Sequence, residues 1–446
     1  MIVAGLGLFL ATLDTGIVNV ALPSLEAAWR VAPQAVTWVV AAYTASLAAT
    51  VIFWGHLADR LGPPKIFGLG LGVFGAASLL CGAAPSLTML VGARTLQGLG
   101  SAMVQGTAAA LLLQGTSASR RAAALATLAV FQGLGPVIGP SVGGLVLTWL
   151  SWRWLFWLNI PVTVSLLIAL RRARLRGAAP QHTPKSLSMG SQVLLAGAIL
   201  AGLMSLSQAD GVLWAAGALL LVAGWWIRER SVTSPLVPRA LLSDGPLWAA
   251  VLAVTAVGGA TALAFLIPPY VLGLYDHWPP ALVGLVNMSA PAALVVAARP
   301  LARTMPRLGA PRLMTVGLLG IVVATGALAW VGAAAPPVVL SALLVAYGVG
   351  AAAFFPSNLS ILMGRDASRG GLLGALQRMG INLGTAIDAT VAGALLTTGA
   401  GVPAVAASGV RLAWAYGAAT LLVAAGVAAL VNHRMTSAPT TRPDAR

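Results

Sequence analysis

Charge is what this chain has least of. Only 8% of its 446 residues are Asp, Glu, Lys or Arg, and the acids number 10. A soluble domain carries about 25% charged residues, so this composition excludes an ordinary soluble fold. Cysteine is nearly absent too: Cys81 stands alone in an apolar run, which excludes an intrachain disulfide framework. The four histidines, His56, His182, His277 and His433, fall in or beside predicted loops, and no metal-ligand cluster forms around them. No nucleophile with a base occurs inside the apolar runs, so neither an enzyme nor a cofactor is expected.

What remains is 59% hydrophobic, with 51 glycines and 27 prolines and a mean hydropathy of +0.91. That is the composition of an all-α integral membrane protein whose spans pack closely and kink. A span needs about 20 apolar residues, and about fourteen such runs follow one another, from 2–24 to 411–431, among them 154–171, 246–274 and 280–299. The first run lacks a basic leader and a cleavage site, so it reads as a retained span, with room for a few residues missing upstream. The net charge of +16 would suggest nucleic acid in a soluble protein, but here the basic residues alternate with topology. Arg60 and Lys65, Arg120 and Arg121, the run from Arg171 to Lys185, Arg228 to Arg239, Arg299 to Arg312, Arg365 and Arg369, and the tail to Arg446 lie on one side. The other side offers little beyond Arg30, Arg153 and Arg411. A multi-pass protein of the cytoplasmic membrane with both termini cytoplasmic is therefore expected, with the lipid bilayer and no nucleic acid as partner.

The halves repeat. Leu57-Ala58-Asp59 and Leu61-Gly62-Pro63-Pro64-Lys65 are echoed by Leu301-Ala302-Arg303 and Leu308-Gly309-Ala310-Pro311-Arg312. The divisions this implies are a six-helix bundle over 1–171, a basic loop with two inserted spans and a linker over 172–244, a second six-helix bundle over 245–432, and a tail over 433–446. Repeated halves around a central site are a transporter architecture.

Asp14 sits in the first run, within Leu13 to Pro23. A carboxylate there costs roughly 2.5 to 3.5 kcal/mol on insertion scales, which marks it as functional. In the fourth span Arg94, Gln97, Ser101 and Gln105 recur at helical spacing as one polar stripe. At 1.5 Å per residue Arg94 lies roughly 12 Å from the outer end and Asp14 roughly 18 Å from the inner one, so their depths match in an about 30 Å core. The alternative to proton coupling is a static ion pair. Asp388, following Gln377 and Gly384 on one face of a late span, is a second embedded acid that would line the same cavity; otherwise it is an acid near the outer interface. Gly55, Asp59, Arg60 and Gly62 form a loop able to lock and release a neighbouring helix, or a merely topogenic basic loop. Gly135, Gly139-Pro140 and Gly143-Gly144 permit close helix approach and bending, though generic packing also explains glycines at this period. Gln97, Ser101, Gln105, Tyr43, Phe131 and Tyr347 are the candidate walls of a substrate cavity, set against plain packing. Trp29, Trp152, Trp154, Trp278 and Trp414 fall at expected outer span ends, as an aromatic belt would.

On these residues the chain resembles the major facilitator superfamily, and within it the fourteen-span drug/proton antiporter branch, over nearly its whole length. Leu13 to Pro23, Gly55 to Lys65, Arg94 to Gly100, Gly135 to Gly144 and Trp152 to Pro161 carry the likeness. Gly16, Pro63, Pro64 and Thr163 depart from the usual pattern. The resemblance implies two six-helix bundles with two inserted helices between them and export driven by inward proton flow. It implies Asp14 and Arg94 in proton coupling, Asp388 in proton or cation binding, and Gly139 with Pro140 as an antiporter-type hinge. The proton is the expected coupling ion, and the expected substrate is a small amphipathic molecule, cationic drugs included, carried by a monomer. An uptake symporter of the same fold and a non-transporting sensor or scaffold are the rivals.

Overall fold

The computed structural model describes residues 2–113, 121–172, 189–207, 211–232, 235–275, 278–365, 370–396 and 407–437. Among them the regular structure is entirely helical. In chain order the helices are α1 (Ile2–Trp29), α2 (Pro33–Leu61), α3 (Pro63–Ala83), α4 (Leu87–Leu113), α5 (Arg121–Trp149), α6 (Arg153–Trp157), α7 (Asn159–Arg172), α8 (Met189–Ser207) and α9 (Gly211–Ser231). They continue as α10 (Arg239–Leu242), α11 (Gly245–Tyr270), α12 (Pro280–Asn287), α13 (Ser289–Leu308), α14 (Ala310–Val331), α15 (Pro337–Met363), α16 (Gly370–Leu396) and α17 (Ala407–Ser437). Among the described residues 12 segments are long and apolar enough to cross a membrane. Helix α4, which carries the polar stripe, is outside that number although 27 residues long. Helix α5 contributes a shorter apolar stretch, Ile138–Trp149.

Local chemistry sets the breaks. The expected continuous spans over 154–171 and 280–299 are each interrupted, at Leu158 between α6 and α7 and at Met288 between α12 and α13. In both places a proline, Pro161 or Pro291, stands three residues after the break. Its missing N–H suits the first turn of the following helix and not the interior of one continuous helix. Gly62 and Gly309 end α2 and α13 with φ of 92° and 80°. Each donates its N–H four residues back, to Ala58 at 2.8 Å and to Met305 at 2.9 Å. A side chain disfavours this left-handed region, so the repeated glycine is required by the backbone. The π-helical turn Val271–Tyr275 extends α11 past Pro268 and Pro269.

Helix α4 packs between α2 and α3, and α1 packs along α5. In the later part α15 lies between α13 and α14, while α11 rests on α16 and α17. The two parts meet where α2 lies on α16, α5 on α12 and α1 on α11. Helices α8 and α9 pair, and α8 touches both α2 and α16, its Gln192 amide donating to the Ala49 carbonyl. Of the expected aromatic belt, Trp154 is exposed but Trp152 and Trp414 are buried. Trp152 sits between Trp29, a tilted ring at 5.0 Å, and Phe156, edge-to-face at 6.2 Å.

Candidate functional site

Asp14 is 1% exposed and Arg94 0%. The structure brings them together, Arg94 Nη1 donating to Asp14 Oδ2 at 2.5 Å. The other carboxylate oxygen accepts from Gln97 Nε2 at 3.0 Å and from Asn159 Nδ2 at 2.7 Å. Ser78 Oγ closes the ring, accepting from Gln97 Nε2 at 2.9 Å. The guanidinium donates further to the Val39 carbonyl and to Gln97 Oε1, and it lies over the Tyr43 ring at 4.1 Å. Breaking a buried pair of this kind costs several kcal/mol, because the partner is left charged and dry. One nitrogen, Arg94 Nη2, is buried without a hydrogen-bond partner.

The polar stripe of α4 divides between two tasks. Gln97 belongs to the acid's shell, while Ser101 accepts from the Tyr43 hydroxyl or donates to it at 2.7 Å and receives Gln105 Nε2 at 3.1 Å. Tyr43 also reaches the Ala11 carbonyl on α1. These side chains are buried in mutual hydrogen bonds. Phe131 packs its ring over Gly5. Tyr347 is in the later half, bonded to Thr261 at 2.6 Å and to the Val257 carbonyl at 3.3 Å.

The glycines of α5 explain how Asp14 is held from behind. A Cβ at Gly135 would strike Thr12 and Leu13, at Gly139 the Leu13 carbonyl at 2.9 Å and Gly16 at 3.0 Å, and at Gly143 the Ile17 carbonyl at 2.9 Å. Three glycines thus press against the α1 segment that bears the acid, and the bare backbone of Gly16 is part of that contact. The other side of α5 meets α12. A Cβ on Gly144 would collide with the Pro280 carbonyl, and one on Gly284 with the Pro140 carbonyl. One helix therefore touches the acid's own helix and the opposite half at once.

Asp388 is 4% exposed and does not face Asp14. Its carboxylate lies over Gly259 of α11, where a Cβ would collide with it, and Tyr416 of α17 hydrogen-bonds to it. Oδ2 has no partner. Gln377 and Gly384 share this inward direction, Gln377 donating to Asn358 Oδ1 at 3.2 Å and Gly384 packed on Thr255. The face expected to line a cavity shared with Asp14 is instead packed within the later half, because α16 needs small and polar positions there to approach α11. The expected loop is not one: Gly55, Asp59 and Arg60 lie in the last turns of α2, and Gly62 alone separates α2 from α3. Gly55 lies 3.5 Å, at its would-be Cβ, from the Gly106 carbonyl, and Arg60 keeps one buried Nη2 without a partner. The Asp59 side chain lies outside the described residues, as do Arg120 and the basic stretch 173–188.

The sequence assigned no site role to Asn159, Ser78 or Cys81, whose Sγ lies 3.6 Å from Gln97 Oε1. Asn159 had a signal: it is an amide between an aromatic run and Pro161 inside an apolar segment. A single serine or cysteine in such a segment carries none, since either is an ordinary small packing residue.

The sequence profile described as Major Facilitator Superfamily matches residues 4–387. A riboflavin transporter of Clostridioides difficile is 25% identical over 394 residues, covering 86% of each chain. The tetracenomycin C resistance and export protein of Streptomyces glaucescens is 26% identical over 421 residues, 90% of this chain and 76% of its own. The puromycin resistance protein of Streptomyces alboniger is 31% identical over 316 residues, 67% of this chain and 61% of its own. Among solved structures, a peptide transporter superposes with a TM-score of 0.71 at 15% identity, covering 97% of this chain and 94% of that one.

Proposed function

This chain belongs to the Major Facilitator Superfamily and is a multi-pass membrane transporter, and we propose that it exports drugs or other small amphipathic molecules by proton-coupled antiport. The observation that carries this is the buried shell of Asp14, built from α1, α3, α4 and α7. A carboxylate bonded by one cation and two amides is tied to three side chains at once, and a proton arriving on it removes the Coulombic hold on Arg94. Released, Arg94 repels or re-pairs, and the α1–α5 seam transmits the shift to α12 in the other half. Substrate favours the opposite state, and the proton gradient drives the cycle. Asp388, with one dry oxygen beside Tyr416, is the second proton or cation site. Two relatives named for drug resistance or export support the exporting direction.

The same reading takes α4 and α5 as spans, giving fourteen, with cytoplasmic termini, halves at 1–171 and 245–432 and the α8–α9 pair inserted between them. One chain contains the whole pathway and works as a monomer. In everted vesicles with an imposed pH gradient, Asp14→Asn is expected to abolish substrate-dependent proton flux while the protein stays folded in the membrane. Unchanged flux would sink the proton role, and uptake in the direction of proton flow would establish symport in its place.

A further inference from the structure

Arg378 has no part in the mechanism above. It lies in the candidate span Leu372–Leu396, six residues in, which is roughly 9 Å from the span's end at 1.5 Å per residue. Its Nη1 is buried without a hydrogen-bond partner. Among the described residues the ion pairs are Arg94 with Asp14 and Arg365 with Asp244, so no carboxylate there neutralises it. Asp388 is ten residues further along the same helix and turned toward Gly259. Arg378 shares its side of α16 with Asn382, whose Nδ2 donates to the Arg378 carbonyl at 2.7 Å, and with Thr385, which donates to the Gly258 carbonyl at 3.1 Å.

An arginine near a span end ordinarily snorkels to headgroup water. Here one terminal nitrogen, Nη1, is enclosed by protein instead, while the side chain as a whole stays half-buried and open to a ligand, and among the described residues no counter-charge pairs with it. Such a group is retained inside a membrane for a ligand or an ion path. Its planar fork of donors fits a two-oxygen anion far better than it fits a cation.

We propose that Arg378 is the anion-recognition subsite of the transport path, taking the carboxylate, sulfonate or phosphate of an amphipathic substrate. This rests on the transporter reading and narrows its substrate class to molecules that carry an oxyanion. An anionic lipid headgroup offers the same chemistry, so the test is made first without one. Purified full-length protein in phosphatidylcholine nanodiscs is titrated with dansylglycine and with its uncharged amide, dansylglycinamide, binding being read by dansyl fluorescence. Arg378→Gln is expected to weaken dansylglycine binding roughly tenfold or more and to leave the amide within about twofold, with Arg378→Lys intermediate, since it keeps the charge and loses the fork. Wild-type protein that binds only the amide overturns the assignment, as does dansylglycine binding unmoved by either variant or equal weakening of both probes by Arg378→Lys. Competition by phosphatidylglycerol in place of dansylglycine, dependent on Arg378, assigns the residue to lipid and overturns it as well. Equilibrium binding does not depend on coupling, so a failure of export with Arg378-dependent binding intact counts against the exporter reading alone.

Discussion

The two embedded acids, one in each half, are held in opposite ways. Asp14 receives three side-chain donors from α4 and α7 and faces a guanidinium. Asp388 has a glycine beneath it, one tyrosine beside it and an oxygen with no partner. The first is an element of a network whose members depend on one another; the second is a solitary group in a small dry slot. Equal burial therefore does not mean equal consequence. Removing Asp14 strands a charge, whereas removing Asp388 relieves an unsatisfied oxygen.

The contrast can be broken most forcefully at the pair itself. Asp14→Ala is expected to destabilise the protein by about 3–5 kcal/mol, because Arg94 is left buried and unpaired, while Asp388→Ala costs about 1 kcal/mol or less. Equal losses in detergent unfolding midpoints would erase the distinction. Next comes Gly139→Leu, which has no room against Leu13 and Gly16; overpacking of about 1–3 kcal/mol, with a larger loss of transport than of fold, is expected from paired transport and thermal-melting assays. Asn159→Ala removes one donor to Asp14 and should cost about 1–3 kcal/mol, whereas Asn382→Ala, whose amide only bonds back along its own helix, should be near neutral. The smallest effect sharpens the likeness of the halves: Gly62→Ala and Gly309→Ala should each cost about 1 kcal/mol, in similar measure, since both have a positive φ in the same region.

What the sequence disclosed depended on periodicity. The spacing of three, four and four residues through Arg94, Gln97, Ser101 and Gln105 and a depth count made Arg94 a candidate partner of Asp14, and the structure brings the two together. The repeated Leu-Gly followed by proline marked two positions with one backbone conformation. The glycines of α5 were visible, but not their partner, because contact between helices distant in sequence leaves no local pattern. The breaks at Leu158 and Met288 stayed hidden because hydropathy does not change across them; only the prolines three residues on hinted at them. The direction of Asp388 was misjudged for a related reason. Helical spacing groups Gln377, Gly384 and Asp388 on one face but does not say which neighbour that face meets.

The Asp14–Arg94 pair has a further consequence for membrane voltage. As it stands the pair carries no net charge, so the membrane potential exerts almost no force on it. Under the proposed mechanism an arriving proton adds one elementary charge near mid-depth. A full crossing is worth about 2.3 kcal/mol per 100 mV, so a site halfway down would feel about half of that, near 1 kcal/mol. Proton occupancy would then change severalfold between an energised and a depolarised membrane even at constant pH, and the transporter would sense electrical polarity through a pair that is itself neutral.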